Sequence, residues 1–92
     1  MALEITNSLN TFQVKGILNK TNVEKFQSHF KNIFNQTNEL VINIDELKSI
    51  DQEGVCAFEM LYKQSLKTHK AFFITGIGSK EMFDHLRTID AA

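Results

Sequence analysis

The stretch "LKSIDQEGVCAFEML", residues 47–61, contains the boundary between an apolar strand end and a predicted helix. Asp51 is a good helix N-cap, because its carboxylate accepts hydrogen bonds from unpaired backbone N–H groups. Glu53 lies in the first turn, where its charge interacts favourably with the helix dipole. Gly54 lies in the same turn but costs about 1 kcal/mol relative to alanine in a helix. We therefore expect Gly54 to serve close packing against a strand or close approach by a partner.

Apolar periodicity predicts the elements on both sides of this boundary. A helix is predicted over residues 52–67, with an apolar face formed by Val55, Phe58, Leu61, Tyr62 and Leu66. Residues 39–44 ("ELVINI") and 70–75 ("KAFFIT") read as buried strands. Ser79 is predicted to N-cap a last helix that carries Met82, Phe83 and Leu86.

The N-terminal part of the chain predicts a hairpin and then a helix. Residues 3–6 and the segment from Phe12 to Leu18, broken at Gly16, read as two strands joined by an Asn/Ser turn, which indicates an antiparallel hairpin. Thr21–Glu24 fits the capping-box spacing and opens an amphipathic helix over residues 22–35.

The predicted order is β-β-α-β-α-β-α, with strands that alternate with helices. This order favours an α/β fold in one domain over residues 1–92. We expect a mixed four-stranded sheet, with an N-terminal antiparallel hairpin followed by parallel crossovers, covered by three to four helices.

Composition excludes several classes of function. A net charge of −1 and a pI near 6.3 lack the basic patch of a nucleic-acid-binding protein. No apolar run approaches the ~18 residues of a membrane span, so direct membrane insertion is not expected. The first residues do not resemble a signal peptide, and one cysteine cannot form an internal disulfide. We expect a cytoplasmic protein.

The sequence gives little support for catalysis, a metal or a cofactor. Cys56 has no histidine near it in sequence and is flanked by apolar residues, so we expect a small buried thiol. The three histidines are scattered and lack metal-ligand spacing. Gly76 and Gly78 suggest a tight turn rather than a phosphate-binding loop, because Glu81 occupies the position of the third glycine.

Three segments, in order, resemble the STAS domain family of anti-sigma factor antagonists and sulfate-transporter tails. They are "GILNKTNVEKF" (16–26), "LVINIDELKSIDQEGVCAF" (40–58) and "AFFITGIGSKEMFDHL" (71–86). The resemblance implies a mixed sheet carrying helices and a role in protein–protein signalling. In the antagonist branch, the partner is an anti-sigma factor with serine-kinase activity, which phosphorylates the hydroxyl residue directly before the glycine.

The chain differs from the family motif at the phosphoacceptor position and beside it. Asp51 and Gly54 match the family's aspartate and glycine, whereas Gln52 replaces the first hydroxyl residue and Glu53 occupies the phosphoacceptor position. Asn19 replaces an aspartate that often lies beside this site. Asn43 likewise replaces an aspartate at the end of the central strand.

The resemblance leads to a first hypothesis of a non-catalytic interaction module for such a regulator. The expected partner-binding residues are Asn19, Asp51, Gln52, Glu53, Gly54 and Val55. Glu53 either mimics the phosphorylated state or only removes regulation. An alternative is a STAS-like structural subunit of an ABC-type lipid-transport assembly, and a third hypothesis is an enzyme that uses Cys56.

Overall fold

A computed structural model describes residues 2–8 and 11–76, which form a mixed sheet with helices. The strands are β1 (Glu4–Ser8), β2 (Thr11–Leu18), β3 (Glu39–Asn43), β4 (Leu47–Ile50) and β5 (Ala71–Thr75). The helices are α1 (Val23–His29) and α2 (Gln52–Thr68), with a 3-10 turn at Ile33–Asn35 between α1 and β3. The helix predicted from Ser79 lies outside the described residues.

The sheet begins with the predicted antiparallel hairpin and continues with parallel strands. β1 pairs with β2 so that Ile5 faces Val14. β2 then runs parallel to β3, and β3 runs parallel to β5. The hairpin and the parallel crossovers predicted from the sequence are therefore confirmed.

The predicted count of four strands is wrong, because the described residues form five. β3 pairs with the first part of β2, and β4 pairs with the last part, so β3 and β4 lie one after the other along β2. The register shifts between Gly16 and Ile17, where Gly16 has a φ of +91°. The predicted break at Gly16 is thus not a break in β2, which is continuous; opposite Gly16 and Ile17, β4 contains one extra residue, Lys48, as in a β-bulge.

The first helix is shorter than predicted. α1 ends at His29, and Asn32 adopts a left-handed conformation with a φ of 61° before the 3-10 turn. A left-handed residue cannot continue an α-helix, so the predicted helix over 22–35 becomes two short pieces. The apolar positions were nevertheless right, since Phe26, Phe30, Ile33 and Phe34 are all buried.

The predicted capping box does not form. Asn22 is the N-cap residue and makes no side-chain capping bond, while the Thr21 hydroxyl donates to Asn19 Oδ1 instead of capping α1. The loop before α1 is therefore held by its own side chains.

The second helix has the predicted extent, but its buried face is rotated from the predicted one. Its buried residues are Gly54, Ala57, Phe58, Leu61 and Ser65. Leu66, predicted to be in the apolar face, is 59% exposed. Small residues let the helix approach the sheet closely, so Gly54 and Ala57 turn inward.

The core joins both helices to one face of the sheet. Buried side chains alternate along β2 and β3, where Val14, Leu18, Leu40 and Ile42 are fully enclosed. The Phe58 ring of α2 lies 5.1 Å from the Phe26 ring of α1. This packing fixes the position at which α2 begins, beside the end of β2.

Candidate functional site

The Asp51 carboxylate connects two loops at the carboxyl ends of β2 and β4. One oxygen accepts a hydrogen bond from the Gly54 N–H at 3.0 Å, and the other accepts one from the Lys20 N–H at 3.0 Å. The Asp51 N–H donates to the Leu18 carbonyl at 3.2 Å. Both carboxylate oxygens are therefore engaged, and the predicted N-cap is confirmed.

The same hydrogen bonds stabilise the charged form of Asp51. The Gly54 N–H, aided by the Lys20 N–H, lowers the pKa of this carboxyl below its usual value, and partial removal from water opposes the effect without cancelling it. Asp51 is thus a structural anion that orders the loop and the first turn of α2.

Asn19 is held within the loop that faces Asp51. Its amide oxygen accepts hydrogen bonds from the Thr21 N–H at 3.0 Å and from the Thr21 hydroxyl. The backbone N–H of Asn19 donates to Asn22 Oδ1 at 2.9 Å, and Asn22 Nδ2 donates to the Ile17 carbonyl at 2.8 Å. These bonds fix the backbone at Lys20, whose N–H reaches Asp51. The loop is therefore ordered before any partner arrives.

Gly54 is buried because α2 crosses the sheet there at very short range. A Cβ at this position would lie 2.6 Å from Ile50 Cγ1, 3.0 Å from Leu18 Cγ and 3.0 Å from the Leu18 carbonyl oxygen. These separations are too short for a methyl group. Of the two roles expected from the sequence, close packing against a strand therefore accounts for this glycine.

Gln52 and Glu53 are the exposed residues of this first turn. The Glu53 side chain makes no hydrogen bond or ion pair with any described residue. Val55 is half-buried against the core. The fold therefore engages Asp51 and Gly54 but leaves the Glu53 carboxylate facing solvent.

The prediction that Cys56 is a buried thiol is wrong. The thiol is exposed rather than buried, and its contact is with Gln52 Nε2 at 3.8 Å. The reason is the rotated face of α2, which directs position 57 toward the sheet and position 56 away from it.

The structure separates Asn43 from the other site residues. Its amide oxygen accepts a hydrogen bond from the Asp45 N–H at 3.0 Å, and its amide nitrogen lies 3.4 Å from the Thr75 hydroxyl oxygen. Asn43 thus joins the ends of β3 and β5, whereas Asn19 and Asp51 lie together at the end of β2. Lys20, which sequence reasoning missed, takes part through its backbone N–H, and no side-chain pattern signals such a donor.

These features agree with a comparison against known protein families. The STAS domain family profile matches residues 1–88. The chain belongs to the STAS domain family. STAS domains commonly mediate protein–protein interactions and are typically non-catalytic.

A solved structure supports the fold of this STAS domain. It is an uncharacterised protein of the DUF3478 family with a SpoIIAA-like fold from Shewanella loihica PV-4. The two chains are 20% identical, with a TM-score of 0.55 over 90% of this chain and 71% of the other. No curated protein sequence shows significant similarity to the chain.

Two further properties concern the described residues alone. Within residues 2–8 and 11–76, no helix is long and apolar enough to cross a membrane. In the same ranges, no three histidine, cysteine, aspartate or glutamate side chains are grouped so as to hold a metal ion.

Proposed function

We propose that this STAS domain is a non-catalytic interaction module of cytoplasmic signalling, which binds an anti-sigma factor or serine-kinase regulator through residues 51–56. We further propose that residue 53 is not phosphorylated. The observation that supports both is the state of the Glu53 side chain, which is exposed and makes no hydrogen bond or ion pair with the described residues, whereas Asp51 and Gly54 beside it are engaged by the fold.

The site is ordered in a way that favours recognition. Asp51 links the loop that contains Asn19 and Lys20 to the start of α2. A partner that binds here does not have to order this backbone, so less conformational entropy opposes binding. Gln52 and Glu53 supply the exposed contacts, while Gly54 contributes by allowing the helix to begin close to the sheet.

The chemistry of Glu53 decides how such a surface is regulated. A carboxylate cannot form the stable phosphate ester that a serine or threonine hydroxyl forms. It carries a charge of −1, whereas a phosphoserine carries about −1.5 to −2. The surface therefore keeps a permanent, smaller negative charge, and a partner with a basic patch is the complementary one.

A binding titration against an anti-sigma factor with kinase activity tests the interface. We expect Glu53→Lys to weaken binding at least about tenfold, because a like charge then faces the basic patch. Glu39→Lys is the matched control, since Glu39 is exposed at the start of β3, near the opposite ends of the strands. Equal affinities for the wild type and both folded variants would contradict the proposed interface.

Incubation with the kinase and ATP tests whether residue 53 is phosphorylated. Intact-mass analysis is expected to show no phosphate at residue 53 of the wild type, and Glu53→Ser creates the acceptor hydroxyl before Gly54. If the wild type gains phosphate at residue 53, the proposal is wrong. Co-purification with a transporter ATPase, in place of a kinase regulator, would instead favour a subunit of an ABC-type lipid-transport assembly.

A further inference from the structure

A groove lies between α1 and α2, away from the loop that contains Asp51. It has a volume of about 800 Å³. Its lining includes Phe26, Phe30, Lys31, Met60, Lys63 and Lys67. Phe26 and Phe30 are buried and form part of the core, so they make a fixed apolar floor.

Met60 lines this groove but is not part of the hydrophobic core. It is 62% exposed, although it lies beside the buried Ala57 and Leu61. Methionine is enriched in the centres of protein interfaces, because its flexible and polarisable side chain adapts to a partner surface. An exposed methionine between two helices is therefore a candidate anchor.

Lysines line the groove toward the C-terminal ends of α1 and α2. Lys31 follows α1, while Lys63 and Lys67 lie one turn apart in α2. Lys63 forms an exposed ion pair with Glu59 at 3.0 Å, but Lys31 and Lys67 have no carboxylate partner among the described residues. Glu24, in the first turn of α1, is the acidic residue in the lining. Positive charge in the groove thus lies toward the C-terminal ends of the two helices, and the acidic residue lies near the start of α1.

We propose that this groove is a second docking surface, which binds an acidic amphipathic helix of a partner protein. A groove between two neighbouring helices matches the apolar ridge of a third helix. Met60 packs against that ridge, and carboxylates of the partner helix lie beside Lys31 and Lys67.

The dimensions of the groove limit the length of helix that it can contact. α1 has seven residues and is about 10 Å long at 1.5 Å per residue, so the partner helix engages over about two turns. Such a contact is smaller than a standard interface, so we expect weak and transient binding.

The groove is also separate from the site at residues 51–56. None of residues 51–56 lines the groove, and Met60, its exposed apolar residue, follows Glu53 by seven residues in α2, or about 10 Å along the helix axis. Binding in the groove therefore leaves the first turn of α2 accessible, and the two surfaces are tested by different variants.

Fluorescence anisotropy with labelled, helix-stapled peptides of about 14 residues, added to the full chain, tests this docking surface. The first peptide carries leucines on one face and glutamates beside them. The second has lysine at each glutamate position, and the third has alanine at each leucine position. Only the first is expected to bind saturably, and its binding is expected to weaken between about 50 mM and about 500 mM salt because ions screen the charges.

Variants of the protein localise the bound peptide. Lys67→Glu and Lys31→Glu are each expected to weaken binding at least about fivefold, and Met60→Ala removes the apolar anchor with a similar loss. Lys48→Glu makes the same charge change on the exposed surface of β4 and serves as the matched control.

The proposal is overturned if the acidic peptide does not bind, or binds no better than the lysine or alanine peptide. It is also overturned if Lys48→Glu weakens binding as much as Lys67→Glu does, or if Met60→Ala has no effect. Binding to vesicles of anionic phospholipid without binding to the acidic peptide would assign the lysines to a membrane surface instead, and would equally refute this docking surface.

Discussion

Replacing Gly54 with alanine tests why the turn before α2 contains a glycine. The new methyl group would lie 2.6 Å from Ile50 Cγ1 and 3.0 Å from the Leu18 carbonyl oxygen. Both neighbours are constrained, because Ile50 Cγ1 is near the root of its side chain and the carbonyl belongs to β2. The carbonyl also accepts the Asp51 N–H, so moving it disturbs the loop as well.

Two opposing effects set the size of the loss. Overpacking of a well-packed core costs about 1–3 kcal/mol. Alanine gains up to about 1 kcal/mol of helix propensity over glycine, and less in the first turn of a helix than in its interior. We therefore expect Gly54→Ala to lower the free energy of unfolding by about 1–2 kcal/mol.

Urea unfolding followed by circular dichroism measures this change. Gln52→Ala is the matched control, because it alters an exposed residue of the same turn and is expected to change stability by less than about 0.5 kcal/mol. Ile50→Ala removes the Cγ1 atom, so Gly54→Ala is expected to cost about 1 kcal/mol less in that background. If Gly54→Ala is as stable as the wild type or more so, close packing does not explain this glycine.

Three further predictions follow from local geometry. The pKa of Asp51 is lowered from 3.8 in the folded chain, so the contribution of this carboxylate to stability is present above pH 3.8 and is lost as pH falls through the folded pKa. In urea unfolding measured over a pH series, Asp51→Asn is expected to reduce the loss of stability on the acid side. Gly16→Ala is expected to cost about 1–3 kcal/mol in the same assay, because Gly16 has a φ of +91° and a Cβ would overlap the Ala2 carbonyl. Cys56 is expected to react with a thiol reagent in the native protein about as fast as in urea, since it is exposed, and strong native protection would contradict its placement.

The sequence alone predicts those features that depend on neighbouring residues. The extent of α2 and its cap at Asp51 were predictable because apolar period and capping chemistry act within a few residues. The hairpin was predictable for the same reason, since two alternating segments flank a short polar turn.

Features that depend on tertiary packing were not predictable from the sequence. Cys56 is exposed because Gly54 and Ala57 allow α2 to lie close to the sheet on their side. Hydrophobicity alone favoured the stripe through Val55 and Leu66, since small residues score weakly on any apolar scale. Residues 47–50 were read as a strand end but not counted as a separate strand, because β4 is defined by its pairing with the end of β2, which local sequence does not show.

The first turn of α2 divides structural and exposed roles between neighbouring residues. Asp51 and Gly54 are constrained by hydrogen bonds and by packing, so changing either residue affects stability first. The Glu53 side chain makes no hydrogen bond or ion pair with a described residue, so beyond the favourable interaction of its charge with the helix dipole it adds little to folding. Under the proposed function, the identity of residue 53 therefore acts through recognition, and the permanent carboxylate of Glu53 would give the surface a charge that no kinase sets.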